Sequence, residues 1–323
     1  TLFRSAIISA SSAYFNPAGV GFLDRKLHFA FNWQSAHQSR QVTTNYAPLA
    51  LGNNGSTEKK YKGIANANFI PSLDLAWRFS EDFFASFHFG VVGGGGKAKY
   101  GSGLGSLESM VAIYPAAINA MAGANVASYS ADINLVGKQY IFAGQLNIGY
   151  RLNEHFSISA GLRANYVYNN YNAGIRNISI DGLQNVPALA ALAPSLGTLL
   201  ADRELDCTQT DLAWAPVIGI DYKAGPFNFA AKYEFNTSVR LKNDTADGKD
   251  AGMAQFADGV SGIASDIPAL LALGASWDVL PSLHLNLGFH RYYRRSMAGR
   301  DPRYRRYHRW SRASAPYHPR PDR

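Results

Sequence analysis

A strict two-residue alternation of apolar and polar side chains constrains this chain more than any other feature. In Leu27–Ser35 (LHFAFNWQS), Leu27, Phe29, Phe31 and Trp33 fall on one side, and His28, Ala30, Asn32 and Gln34 on the other. A strand turns successive side chains to opposite faces, so this segment has one apolar and one wet face. Leu73, Leu75, Trp77 and Phe79 repeat the pattern against Asp74, Ala76 and Arg78. Phe83, Ala85, Phe87, Phe89 and Val91 then oppose Phe84, Ser86, His88 and Gly90.

Further pairs of alternating runs follow. Tyr140–Tyr150 leads through Leu152–His155 into Phe156–Tyr168. Leu212–Tyr222 leads through Lys223–Pro226 into Phe227–Phe235, and Leu271–Trp277 through Asp278–Ser282 into Leu283–Phe289. These short connections, with Ser80–Asp82, alternate with long ones near Tyr46–Glu58, Gly101–Gly137, Asn170–Asp211 and Lys242–Asp266. Short turns on one rim and long loops on the other are the layout of an outer-membrane barrel. Runs of about ten residues match the length that a tilted strand needs to cross a bilayer.

Composition agrees without deciding. The chain is 47% hydrophobic with 18 Tyr, 18 Phe and 5 Trp, and no stretch approaches the roughly 18 uninterrupted apolar residues of a membrane helix. The mean hydropathy of -0.15 suits a barrel, in which only alternate residues meet lipid. Trp33, Trp77, Tyr150, Tyr166, Tyr168, Trp214, Tyr222, Tyr233 and Trp277 lie near strand ends on the apolar face, where interfacial aromatic girdles sit.

The expected fold is all-β, an antiparallel transmembrane β-barrel. Nine strands are expected, one of them running just before Pro71. An open edge in lipid leaves backbone groups unpaired, so nine strands imply missing partners and a chain truncated at both ends. Three segments are expected: 1–25 before the wall, 26–290 as an incomplete barrel, and 291–323 as a basic tail without fixed structure.

The net charge of +8 belongs to that tail. From Arg291 to Arg323 there are eleven Arg, no Lys and two Asp, which leaves 20 Lys+Arg and 21 Asp+Glu before it. The tail holds no Leu, Ile, Val or Phe, so it can form neither a lipid-facing strand nor a core. It reads as out-of-frame sequence or as a polybasic arm. The single cysteine, Cys207, permits no intrachain disulfide and is expected as an isolated thiol in a loop.

Ahead of the first strand the chain reads SSAYFNPAGVGFL over Ser11–Leu23, with a turn signal at Asn16-Pro17-Ala18. With the sorted loops over roughly residues 5–290, this segment resembles the FadL/TodX family of outer-membrane transporters. The resemblance implies a fourteen-stranded barrel in the bacterial outer membrane, among its lipids and lipopolysaccharide, and a monomer. It also implies uptake of long-chain fatty acids or aromatic hydrocarbons by passive diffusion, with an N-terminal hatch in the lumen and no cofactor, metal or nucleic acid. Asn16, Pro17, Ala18 and Gly19 then form the hatch motif, of which 1–25 is a remnant.

Gly93, Gly94, Gly95 and Gly96 interrupt the third strand. Glycine inside a strand marks a bulge, a bend or a close backbone approach. The resemblance implies a kink there that opens the wall sideways, and a flexible strand end is the plainer reading.

Two long loops, Val111–Ala127 and Val186–Leu205, look apolar and helical. The first offers Met110, Ile113, Tyr114, Ile118 and Met121. The second offers Leu189, Leu192, Leu196, Leu199 and Leu200 at spacings of three and four. Such helices form either a groove that captures a hydrophobic ligand or a lid packed on itself.

The wet faces carry His28, Arg78, His88, Arg163, Asp221, Lys232, Glu234, His284 and His290, mostly read as a salt-bridged lumen. Arg163 and Lys232 are candidates to hold a carboxylate headgroup. Catalytic spacings are missing: there is no GxSxG, HExxH or Walker loop. A general porin or an adhesin is the alternative to a transporter, and an outer-membrane enzyme such as a phospholipase ranks behind both.

Overall fold

The computed structural model describes residues 5–122, 126, 128–182, 197–198 and 200–293, with Met121 and Ala122 described by their backbone alone. Nine antiparallel strands form one curled path: β1 (Leu27–Asn45), β2 (Glu58–Arg78), β3 (Phe83–Tyr100), β4 (Ser128–Arg151), β5 (Phe156–Asp181), β6 (Arg203–Ala224), β7 (Phe227–Glu234), β10 (Ala269–Leu280) and β11 (Leu283–Tyr293). Two more, β8 (Arg240–Asp250) and β9 (Ile263–Ala264), lie off this path. β8 continues beside the outer half of β6, where β7 has ended.

The alternation sets which face meets what. Trp33, Ile148 and Leu287 are 66%, 68% and 72% exposed, values that would be untenable for a core but fit residues facing acyl chains. The opposite face is buried and polar, with Gln145, Asn147, Asn165, Asp221 and Asn228 turned into the lumen. Beside the short turns, aromatic rings touch in sequence on the outer face: Trp77 to Phe79 to Phe83 to Tyr150, and Phe156 to Tyr222 to Phe229 to Phe227 to Trp277, with centroids 4.6–6.5 Å apart. Amphipathic rings gather where bilayer meets water.

Several strands are far longer than a bilayer crossing requires. β4 and β5 pair from Arg151↔Ser157 out to Ser128↔Asp181, so much of the sequence expected as the loops Gly101–Gly137 and Asn170–Asp211 is strand. Lys242–Asp266 is likewise not a plain loop but holds the end of β8 and all of β9. Cys207, expected in a loop, lies fully buried in β6 beside Ala173 and Leu205. The β branching and alternation continue past the membrane, and the backbone keeps pairing because each ladder bond satisfies two polar groups.

Within the first long connection, α2 (Gly105–Ala122) is the expected apolar helix, beginning before Val111. It packs with Leu49, Tyr129, Ile133, Ile175 and Ile180 into an outer apolar cluster. The second expected helix falls largely outside the described residues. Its described end differs from the expectation, since residues 203–205 begin β6.

Candidate functional site

The N-terminal segment lies inside the curl of the sheet. α1 (Ser12–Phe15) ends at Asn16, whose extended backbone (φ -157°, ψ 97°) precedes a 3-10 turn at Pro17–Phe22. Proline disfavours a helical residue before it and then supplies the φ of a new first turn. Local chemistry thus makes the bend at the motif.

The motif then binds the wall. Asn16 is fully buried, and its Nδ2 donates to the Ile220 carbonyl (3.1 Å) and to Asp221 Oδ2 (2.7 Å). Pro17, Ala18 and Gly19 are buried too. A Cβ on Gly19 would stand 3.3 Å from both Asp221 Oδ2 and Ser12 Oγ, so the backbone lies close against the wall carboxylate. Gln145 and Asn147 of β4 both donate to the Ala13 carbonyl at 3.1 Å, and Asn228 of β7 donates to that of Ala6. Val20 packs with Ala76 and Phe84.

Arg163 and Lys232, the two candidate headgroup ligands, come together on this segment. Arg163 makes a two-pronged contact with Glu234, at 2.6 and 3.0 Å, and donates through Nε to Gln145 at 2.8 Å. Lys232 also pairs with Glu234 and donates to the Tyr14 carbonyl at 2.9 Å. Both cations stand over the Tyr14 ring, 4.7 and 4.8 Å from its centroid. Burying two cations is tolerable here because one carboxylate and one aromatic face share them. Glu234 was expected among the salt-bridged lumen residues and takes that place, whereas Tyr14 had been given no role of its own. The signal for Tyr14 was its place two residues before the Asn-Pro step.

Tyr14 also faces the other side of the lumen. Its ring lies 4.5 Å from that of His88. His88 Nδ1 bonds Asp74 Oδ1 at 2.7 Å, and the second oxygen of Asp74 accepts from Ser11 Oγ (3.1 Å) and Asn32 Nδ2 (3.2 Å).

The glycine run sits where the wall comes apart. β2 and β3 pair at Asn66↔Lys97 and at Ser72↔Gly90, with no ladder between those points. Both strands carry extra residues there. Gln34 pairs with Ile70 but Ala36 with Ala67, so two residues of β2 oppose one of β1. On the other side Val91, Gly93 and Gly96 pair with Phe142, Ile141 and Gln139, so β3 bulges twice against β4. Pro71 has no N–H to offer. Gly94 and Gly96 have φ of +104° and +68°, and a Cβ on Gly94 would meet the Gln139 carbonyl oxygen at 2.3 Å.

Two cavities adjoin this split. One of about 140 Å³ is lined by Gln38, Arg40, Ala67, Ile70, Val91 and the four glycines. Another of about 520 Å³ is lined by Tyr14, Phe15, Ile70, Val91, Asp74 and His88, among others. Ile70 and Val91 border both.

The outer apolar residues expected to form a capture groove or a lid fall into two sets. Met110 and Ile118 of α2, with Leu200, pack against the outer cluster, while Ile113 is 46% exposed. The Met121 side chain, and Leu189, Leu192, Leu196 and Leu199, lie outside the described residues. α2 is also fixed by a buried acid that carried no role in the sequence reading. Glu108 accepts from Lys59 (2.7 Å), Tyr61 (2.9 Å) and Tyr129 (3.0 Å). Burial and this carboxylate push the Tyr129 hydroxyl's pKa up. A lone acid in an apolar helical run was the signal for it. Among the described residues no cluster of His, Cys, Asp and Glu suits a metal ion.

A lipid-facing aromatic wall around a buried polar lumen is the build of an outer-membrane β-barrel, here with the N-terminal segment bonded inside it. No protein-family model matches the chain, and no curated protein matches its sequence. Solved structures do match in fold. A Pseudomonas aeruginosa FadL homologue is 12% identical, with 89% of this chain and 65% of that one covered and a TM-score of 0.56. The Ralstonia pickettii toluene transporter TbuX gives 12%, 88%, 67% and 0.52, and the Pseudomonas putida toluene transporter TodX 15%, 90%, 69% and 0.51. The chain therefore has the fold of the FadL-type transporter barrels, and it spans about two thirds of the length of these solved chains.

Proposed function

We propose that this chain carries small hydrophobic molecules across the bacterial outer membrane by passive diffusion, with exit through the side of the wall between β2 and β3. The observation that carries this reading is the cavity of about 520 Å³, which shares Ile70 and Val91 with the split seam. A volume in this range suits a small ligand. The names of the structural neighbours, toluene transporters and a FadL homologue, point to the same class of cargo.

In this reading the Asn16–Gly19 hatch gates the lumen. Arg163 and Lys232 hold the hatch through Tyr14, and they reach a ligand carboxylate only after Tyr14 leaves them. Capture at the outer rim falls to Ile113 on α2 and to the leucines of the second loop. The filled lumen speaks against a general porin, which needs an open aqueous path.

The test is flux in liposomes holding the full chain, with labelled oleate, toluene and glucose. Oleate and toluene should cross and glucose should not. Ile70→Trp, which fills the border of the two cavities, should slow both hydrophobic solutes. Equal passage of glucose, or undiminished toluene flux in Ile70→Trp, would overturn the reading.

A further inference from the structure

We propose that the lumen cavity selects ligands bearing a hydroxyl hydrogen-bond donor, such as a phenol, through the Nε2 atom of His88. The inference rests on the reading of this cavity as a ligand site and adds a polar preference to it.

His88 is 4% exposed and lines the cavity. Its Nδ1 is committed to Asp74 at 2.7 Å. Asp74 is an acceptor whose other oxygen is held by Ser11 and Asn32, so the carboxylate cannot swing away and the Nδ1–H must point at it. In the neutral ring that leaves a bare lone pair on Nε2. Among the described residues this buried Nε2 has no hydrogen-bond partner. Buried polar atoms in folded proteins are almost always paired, and an orphan needs a reason.

The surroundings supply one. Tyr14 lies against one side of the imidazole, and Gly90 lacks the Cβ that would stand 3.2 Å from Nε2. Phe15, Ile70, Pro71, Val91 and Val92 give the cavity an apolar side, while Ser11, Asn32, Gln34, Ser72 and Asp74 make the rest of its lining polar. An apolar ring with one hydroxyl fits this pairing: the ring meets the apolar lining and the O–H donates to Nε2. A plain hydrocarbon leaves the lone pair unmatched. A site that presents a buried acceptor discriminates against the isostere that lacks the donor.

The experiment measures affinities of phenol, anisole and toluene for the full chain by calorimetry, in wild type and His88→Leu. Removing the acceptor should lower the phenol-to-toluene affinity ratio about tenfold and leave the anisole-to-toluene ratio unchanged. An unchanged phenol ratio overturns the inference, and so does an equal fall for anisole, which accepts but cannot donate. Should His88→Leu fail to fold, the ¹⁵N resonance of His88 Nε2 in the wild type decides. It should move on saturation with phenol and stay in place with toluene, and equal responses overturn the inference. Toluene that binds and crosses without any preference for phenol sinks this inference alone. Toluene that neither binds nor crosses sinks the transport reading beneath it.

Discussion

The β4–β5 seam and the β2–β3 seam lie two strands apart in the same wall and share the same alternation, yet one is sealed and the other split. The sealed seam runs from Arg151↔Ser157 to Ser128↔Asp181 with one shift of register, between Ser130 and Asp132. The split seam loses its ladder between Asn66 and Ser72. The difference comes from residues that cannot pair regularly: a proline, a glycine run with positive φ, and bulges on both sides of the gap. The hatch divides its contacts the same way. Most of its bonds go to β4, β6 and β7, through Gln145, Asn147, Ile220, Asp221, Asn228 and Lys232. Toward β2 and β3 it has Ser11 on Asp74, the Arg78 bond to the Leu23 carbonyl, the ring contact of Tyr14 with His88, and the packing of Val20 on Ala76 and Phe84. More of the segment's hydrogen bonds thus go to the sealed side than to the split one.

The largest expected effect breaks the sealed side. Glu234→Gln leaves Arg163 and Lys232 buried without their shared carboxylate, at a cost of about 3–5 kcal/mol. Urea unfolding in micelles should show it, together with faster amide exchange over Ser12–Phe22. Unchanged stability would mean that the hatch is not held by this cluster.

Next in size is the split itself. Gly94→Ala puts a Cβ against the Gln139 carbonyl at a φ of +104° and should cost about 1–3 kcal/mol. Gly144→Ala on the outer face of β4, with nothing within 4 Å of the new Cβ, should stay within about 0.5 kcal/mol. Equal costs at the two positions would mean that the bulge is not the strained, specified part of the wall. Asn16→Ala removes two bonds to β6 and should cost about 1–2 kcal/mol, read again as hatch exchange.

The alternation made the wall legible because period two is a local property of Leu27–Trp33 or Phe156–Tyr168. The glycine run was legible for a similar reason, since few uses exist for four glycines in a strand. Partner choice was not. Lys232 and Glu234 lie two apart on one face of β7, but Arg163 reaches that Glu234 only because β5, β6 and β7 are set side by side in one register, and Tyr14 joins them only when the N-terminal segment docks. Both conditions are non-local. The bulge opposite Ser35 also hid the true course of β2: one extra residue flips the inward set from Ala67 to Ile70, so alternation could not be followed through it. In α2 the apolar residues were visible. Which of them would be used up by packing on Leu49 and Tyr129, and which left open as Ile113 is, depended on a partner surface far along the chain.

The smallest expected effect sharpens the contrast between the two sides of the hatch. Ser11→Ala deletes a 3.1 Å bond to Asp74, but Asp74 keeps Asn32 and His88, so no buried charge is left bare. The cost should be only about 0.5–1 kcal/mol, below that of Asn16→Ala, although both residues are buried and both face a wall carboxylate. Functionally the order should reverse. Ser11→Ala loosens the contact beside the cavity and should raise toluene flux, whereas Asn16→Ala frees the hatch from β6 without clearing the split seam. If Ser11→Ala proved the costlier of the two, the hatch would be anchored to the β2–β3 side, and a hatch anchored there could not lean away to clear the path between those strands.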